Sequence, residues 1–394
     1  MTDSGPLAGF RIVDATQMVS GPMATMILAD QGADVVKVEP PAIGDLTRAM
    51  GSGSRGLSPI FAVINRNKRS IAIDLKNPRG LAVLKRLVST ADVFVQNFRP
   101  GRAGNLGIGE ADLRAVKSNL VYVSISGFGE RGPYVNKRVY DPVIQALSGL
   151  ASVQADYRTG RPQMMRLIVP DKVTALTAGQ AITAALLKRE RTGQGSHVRL
   201  AMLDAVIAFL WPEAMATYTF GSPSMPTRAQ SRDLIFETAD GYITAGAVSD
   251  AEWDALAHVL GHPEWIDDPR FKTIVARNRN VAERLELTAE ALRTKTSAQW
   301  LAALEAGQVP SAPVLSRGEV LLDPQVIEND LIMESTHPYA GPMRMPRMAA
   351  RFDDSPQAAA DPAPLLGEHT DEILREAKFG PEEIRQLRES KAIA

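Results

Sequence analysis

The sequence predicts an α/β protein with a large domain on a parallel, helix-covered β-sheet and a smaller α+β domain. Three observations carry this expectation. Short apolar strands alternate with helices between Phe10 and Gly127, the pattern of βαβ units. The chain has 394 residues, more than one ordinary core organises. A stretch rich in Ser, Pro and Arg at 220–233 (FGSPSMPTRAQSRD) reads as a linker.

The elements follow in order. Phe10–Val13 is a mostly apolar strand. Ser20-Gly21-Pro22 opens a helix with Ser20 as its cap, and Met23–Gln31 continues it to a stop at Gly32. Ala33–Val38 is the next strand, Ser70–Leu75 another, and Asn77-Pro78 starts a helix that runs to about Ser89. Asp92–Val95 and Leu120–Ser124 are buried strands, with a helix at Glu110–Lys117 between them. Pro142–Leu150 and Asp171–Lys188 read as helices. In the second, apolar residues around most of its circumference predict deep burial. Val198–Leu200 is a strand, and Met202–Tyr218 is a long apolar helix that Pro212 kinks. A small unit spans 234–311. Short strands and Pro-rich loops follow, then helices near Thr370–Lys378 and Pro381–Ser390.

Composition removes several function classes. There is no cysteine, so thiol nucleophiles, thiolate metal sites and disulfides are out, which fits a reducing, cytoplasmic setting. A net charge of −1 provides no bulk attraction to nucleic acid or an anionic membrane. The opening MTDSGPLAGFRIVDA lacks the pattern of a secretory signal, and no apolar run has membrane-spanning length. The first strand–helix turn has a single glycine where a dinucleotide fingerprint needs three, which argues against NAD or FAD. The five histidines, His197, His258, His262, His337 and His369, form no metal-binding pattern and read as surface or capping residues. Ser124-Ile125-Ser126-Gly127 lacks the first glycine of a nucleophile elbow and reads as a strand-end turn.

Two features remain. Basic residues cluster near strand ends: Arg66, Lys68, Arg69, Lys76, Arg99, Arg102, Lys137 and Arg138. Such loops either collect phosphates or form a solvated surface. Asp171 opens an apolar helix. It is either a helix cap or a carboxylate nucleophile kept ionised by the helix terminus.

Several ordered segments together resemble the family III CoA-transferases, the CaiB/BaiF group. They are Gly21-Pro22, Ala29–Glu39 (ADQGADVVKVE), Asn65–Lys76 (NRNKRSIAIDLK), Ala91–Gly101 (ADVFVQNFRPG), Val121–Tyr134, Tyr140–Gly149, Asp171–Ala205 and Gly367–Thr370. The resemblance implies a Rossmann-like large domain built from both chain ends. Residues 1–219 supply its N-terminal part and 312–394 return to complete it, with the small domain at 234–311. It also implies an interlocked homodimer. Asp171 then matches the catalytic aspartate, Tyr140 and Asp141 lie next to the acyl group, and Val19 replaces a substrate-proximal glutamine. Lys76, Asn97, Phe98, Arg99 and Arg138 lie along the coenzyme A site, where Arg102 compensates for Asn105. Coenzyme A enters as substrate, with no permanently bound cofactor, and the partners are an acyl-CoA and a carboxylic acid. Tyr140 stands where the racemase branch has a histidine, so transfer is expected ahead of racemisation, and a non-catalytic acyl-CoA-binding protein is the other alternative. Val19, Pro40 and Asn105 point away from oxalate and formyl-CoA.

Overall fold

The structure, a computed structural model, describes residues 5–51, 57–220, 233–352 and 360–394. The chain forms two compact units. One comprises 1–154, 163–220 and 330–394, and the other 155–162 and 221–329. Nearly all of the expected linker lies outside the described residues.

In the first unit, chain order runs β1 (Arg11–Ala15), α1 (Ser20–Asp30), β2 (Asp34–Glu39), α2 (Pro59–Ile64), β3 (Lys68–Ala72), α3 (Pro78–Ser89), β4 (Val93–Gln96), α4 (Arg102–Asn105), α5 (Glu110–Arg114) and β5 (Val121–Ser126). It continues with α6 (Asp141–Leu147), α7 (Leu150–Val153), α8 (Val169–Thr192), β6 (His197–Ala201) and α9 (Met202–Leu210). The second unit holds β7 (Ile235–Glu237), β8 (Tyr242–Ala245), α10 (Asp250–Leu260), α11 (Ile274–Arg279), α12 (Val281–Leu292), α13 (Ser297–Ala306), β9 (Ser311–Pro313) and α14 (Pro324–Glu328). Its small antiparallel sheet, in the order β7-β8-β9, belongs with a core of Trp253, Trp265, Phe271 and Trp300. The chain then returns to the first unit as β10 (Ile332–His337), β11 (Gly341–Pro346), α15 (Thr370–Glu376) and α16 (Pro381–Glu389).

The main sheet is six-stranded and parallel, in the order β3-β2-β1-β4-β5-β6. Alternate side chains cover its two faces. Val13, Val36, Ile71, Phe94 and Tyr122 pack with α3, α15 and α16. Ile12, Val35, Val93, Val95, Val121 and Val123 pack with α1 and α8. On α8 the buried face is lined by Ala175, Ala178, Gly179 and Ala185, small residues that let it approach α1 closely. Its opposite face was expected to be buried too, yet Leu176 is 59% and Leu187 52% exposed. Among the described residues no helix is long and apolar enough to cross a membrane.

Other expectations need correction. Helix α9 ends at Leu210 with Trp211 as its C-cap, because Pro212 has no N–H and its ring crowds the preceding turn. Pro212 stops the helix; it does not kink it. Strand β3 begins at Lys68, two residues before the expected start. Lys68 and Arg69 are therefore buried strand residues, not loop cations. Arg69 pairs with Asp34, Glu372 and Glu376, and Arg66 with Asp30. His337 is buried, with Nε2 2.9 Å from the Ala363 carbonyl.

A buried charge cluster sits against the C-terminal ends of β1 and β2. The Asp14 carboxylate, fully buried, accepts from Thr16, from the Thr25 hydroxyl (2.7 Å) and from Lys68 Nζ (3.0 Å). Lys37 Nζ donates to Asp45 (2.8 Å) and to the Thr16 carbonyl (3.2 Å). Glu39 accepts from the Asp45 amide, the Arg48 guanidinium and the Ser70 hydroxyl. Burial alone would raise the Asp14 carboxyl, but Lys68, Lys37 and the threonine hydroxyls outweigh it and hold Asp14 well below the usual carboxylate range. Burial pushes Lys68 down to about 8 despite Asp14.

Removing one member strands the others without compensation. Asp14→Ala should destabilise the fold by about 3–5 kcal/mol, read as a lowered urea midpoint at unchanged slope. A loss under about 1 kcal/mol would show that the cluster is not the anchor described here.

Candidate active site

The strand order reverses between β1 and β4, and the loops after these strands diverge there, as at ligand-binding crevices of open α/β sheets. Asn97 spans the gap. Its Oδ1 accepts from the Gln17 amide (2.9 Å), and its Nδ2 donates to the Gln17 carbonyl (2.7 Å). The next residue, Met18, has φ 68°, a left-handed conformation that a side chain rarely adopts unless its surroundings enforce it. Asp45 enforces it by accepting from the Met18 amide (3.2 Å). Gly21 follows, and a Cβ there would lie 2.4 Å from Thr16 Cβ, so only glycine fits.

This loop delivers buried Val19 as the N-cap of α1, with Ser20 as the first helical residue. Ser20 does not cap its own helix. Its amide instead donates to Asp171 Oδ1 at 3.2 Å. Asp171 in turn is not a cap: α8 starts at Val169, with Pro170 in its first turn and Asp171 third. Its carboxylate instead reaches across to the Ser20 amide, at the start of another helix. The Asp171 amide donates to Asp141 Oδ2 (3.3 Å). Asp141 Oδ1 accepts from Gln145 (2.6 Å). Thus the structure brings Val19, Asp141 and Asp171 together and adds Ser20 and Gln145, which sequence reasoning passed over. The only available signal for Gln145 was a polar residue inside the apolar run of α6.

The helix terminus does not by itself set the ionisation of Asp171. Burial, reinforced by the Asp141 charge, pushes the Asp171 carboxyl up to about 6, and the Ser20 hydrogen bonds only partly oppose this. Burial also raises Asp141, against Gln145, the Asp171 amide and Lys172. The helix terminus moderates the burial cost without overcoming it.

The remaining predicted residues lie around this centre. Lys76, Arg99, Arg102 and Arg138 are exposed, and among the described residues none has an acidic partner. Phe98 packs on the core beneath α3. Tyr140 is 65% exposed and caps α6 without a side-chain hydrogen bond. Phe98 and Arg99 also line a cleft of about 770 Å³ over the ends of β4, β5 and β6, whose far wall includes His197 and Arg199. Asp171, Lys76 and Arg138 are not part of that lining. His197 is half-buried. Gln96 Oε1 accepts from the Phe98 amide, and Gln96 Nε2 donates to the Ser124 hydroxyl, which lies 2.9 Å from His197 Nε2. Among the described residues, His197 Nδ1 is buried without a hydrogen-bond partner.

The model of CoA-transferase family III matches residues 7–370. The chain belongs to family III of the CoA-transferases. It is 36% identical to a mouse succinyl-CoA:glutarate CoA-transferase over 94% of this chain and 86% of that protein. It is 34% identical to a succinate–glutarate CoA-transferase of Agrobacterium fabrum over 94% of this chain and 95% of that protein. A crystallised aspartate-to-alanine variant of a Mycobacterium tuberculosis protein superposes with a TM-score of 0.84, at 33% identity over 94% of this chain and 99% of that one. The family III chain is thus an enzyme of the CoA-transferase type with a mixed α/β fold.

In this family III enzyme Asp171 holds its proton more tightly when folded than when unfolded. Its contribution to stability is complete below about pH 4 and is lost as pH rises through about 6. Asp171→Asn should therefore stabilise the enzyme at pH 8 by something on the order of 2 kcal/mol. Denaturation at pH 8 and pH 4 checks this: the gain should vanish at the lower pH, and equal stability at both would remove the argument.

Proposed function

We propose that this enzyme moves coenzyme A from an acyl-CoA donor to a carboxylic acid acceptor, with Asp171 as the nucleophile. The observation that carries the reading is a half-buried carboxylate that accepts from the Ser20 amide at the start of a second helix and stands beside Asp141. A carboxyl shifted to about 6 is mostly ionised at neutral pH, yet poorly solvated and so reactive.

In the first step Asp171 attacks the thioester carbonyl, the C–S bond breaks, and a mixed anhydride and CoA thiolate result. The thiolate then attacks the aspartyl carbonyl. This expels the donor acid as its carboxylate and leaves an aspartyl-CoA thioester. The acceptor carboxylate repeats the sequence in reverse. Ser20 N–H already holds Oδ1, the oxygen that becomes the oxyanion when thiolate attacks the aspartyl carbon, provided that Oδ2 made the anhydride bond. Val19 and Asp141 are themselves buried, and the bound donor must shield the half-buried Asp171 to keep water from the anhydride.

Lys76, Asn97, Phe98, Arg99, Arg102 and Arg138 hold the nucleotide of coenzyme A in this reading. The support is a division among the basic residues: Arg66, Lys68 and Arg69 are paired, whereas Lys76, Arg99, Arg102 and Arg138 are exposed and have no acidic partner among the described residues. Tyr140 stands beside the acyl group. Coenzyme A enters as substrate, and the steps need no permanently bound cofactor. The relatives named above make succinyl-CoA and glutarate the first donor and acceptor to try. We assign the enzyme to an interlocked homodimer, for which the exposed apolar side chains of Leu176 and Leu187 on α8 and of Phe209 on α9 offer surface to cover, and to the cytoplasm, in keeping with a sequence without cysteine.

Intact-protein mass spectrometry after incubation with short dicarboxylyl-CoAs should find a CoA adduct that maps to Asp171. Asp171→Ala should lower CoA exchange by about 10³-fold or more. Turnover undiminished in Asp171→Ala, or deuterium entering the acyl α-carbon without CoA exchange, would refute the proposal.

A further inference from the structure

Gln145 is 2% exposed, a position that an apolar helix usually gives to an aliphatic side chain. It makes more side-chain hydrogen bonds than its two amide protons can satisfy singly. Nε2 lies 2.6 Å from Asp141 Oδ1, 3.3 Å from the Met165 carbonyl and 3.2 Å from the Leu167 carbonyl. Oε1 accepts from the Met165 amide at 2.9 Å. One amide group thus grips both the carboxylate one turn earlier on α6 and the backbone that leads into α8. A buried amide with all its capacity used is strongly oriented, since any rotation leaves several groups unpaired.

Two positions follow from that grip. With Oδ1 of Asp141 taken by Gln145, Oδ2 is left to accept from the Asp171 amide. With Met165 and Leu167 held, the segment before Val169 has a set course, and so does the first turn of α8 that carries Asp171. Of the helices packed against α6, α8 brings Asp171 and Lys172, α9 brings Asp204 and α7 brings no ionisable group. The held segment itself includes Arg166.

We propose that Gln145 is a positioning residue for CoA transfer: it turns Asp141 toward the Asp171 amide and pins the 165–167 backbone, so that the Asp171 carboxylate stands at the start of α1. This role rests on Asp171 being the nucleophile. Gln145 itself, 2% exposed, presents almost no surface to a donor or an acceptor.

Two variants test it in the full-length enzyme, with wild type labelled in parallel. Gln145→Met keeps the length and removes every hydrogen bond. Its kcat for CoA exchange should fall about tenfold or more while KM for the acyl-CoA stays within about threefold, because the nucleotide is held elsewhere. Gln145→Glu separates positioning from stability. When protonated, the new carboxyl donates and accepts much as the amide did. When ionised, it has no donor and faces Asp141 and two carbonyls. Its activity relative to wild type should therefore decline as pH rises from about 5.5 to about 8, at constant folded fraction by circular dichroism. A Gln145→Met kcat within about twofold of wild type, or a Gln145→Glu ratio flat with pH, overturns the role. If wild type carries no label on Asp171, the nucleophile reading fails and this role fails with it. A labelled wild type beside an unimpaired Gln145→Met defeats this role alone.

Discussion

Beneath the loop from β1 to α1, two lysines and two aspartates are packed where no water reaches them, each ammonium against a carboxylate: Lys68 on Asp14 and Lys37 on Asp45. Isolated charges would not stay ionised at that depth. Together they form a hub that also captures the Thr16 carbonyl and the Met18 amide. The loop above inherits its shape from this hub. Met18 stays left-handed, Gly21 closes on Thr16, and the Ser20 amide points outward. Asn97 then couples the loop to β4, so both sides of the strand-order reversal move as one. The Ser20 amide that meets Asp171 takes its place from that loop.

Asp171 illustrates opposing forces resolved by magnitude. A helix N-terminus stabilises an anion, but by an amount limited to one or two hydrogen bonds and a partial charge. Dehydration and a second carboxylate outweigh that here. The outcome suits a nucleophile better than either extreme. A carboxylate stabilised too well would attack poorly, and one left neutral would not attack at all. The fold keeps this compromise by holding Asp141 with Gln145 and Asp171 with Ser20, so neither carboxylate turns away from the other.

The alternation of strands and helices was legible because period and length are local properties, and Asp171 stood out as a lone carboxylate between apolar segments. The start of β3 was not legible. Lys68 and Arg69 look like loop cations until their partners are known, and those partners lie 54 and 35 positions away at Asp14 and Asp34. A still longer separation, 151 positions, hid the bond from Ser20 to Asp171. The start of α8 was misplaced because Asp171 after Pro170 reads as a cap, whereas Pro170 is already inside the first turn. Gln145 was overlooked because hydrophobic patterning treats a polar residue on a helix as a solvent-facing position. Patterning thus finds the frame, while long-range polar pairing decides which charged residues belong to the frame and which are free for a ligand.

The return of the chain to its first unit has a further consequence. One face of the main sheet is closed by α15 and α16, and Ile393 bridges to Ile73 beyond β3. During synthesis, then, Val13, Val36 and Ile71 emerge more than 300 positions before some of the side chains that cover them, such as Ile384 and Ile393. The second unit, contiguous apart from 155–162, has nearly all its residues out of the ribosome earlier. A nascent chain of this enzyme therefore has that sheet face covered only in part, by α3, for most of its translation, and a chaperone able to hold the rest has its longest opportunity before residue 370 is made.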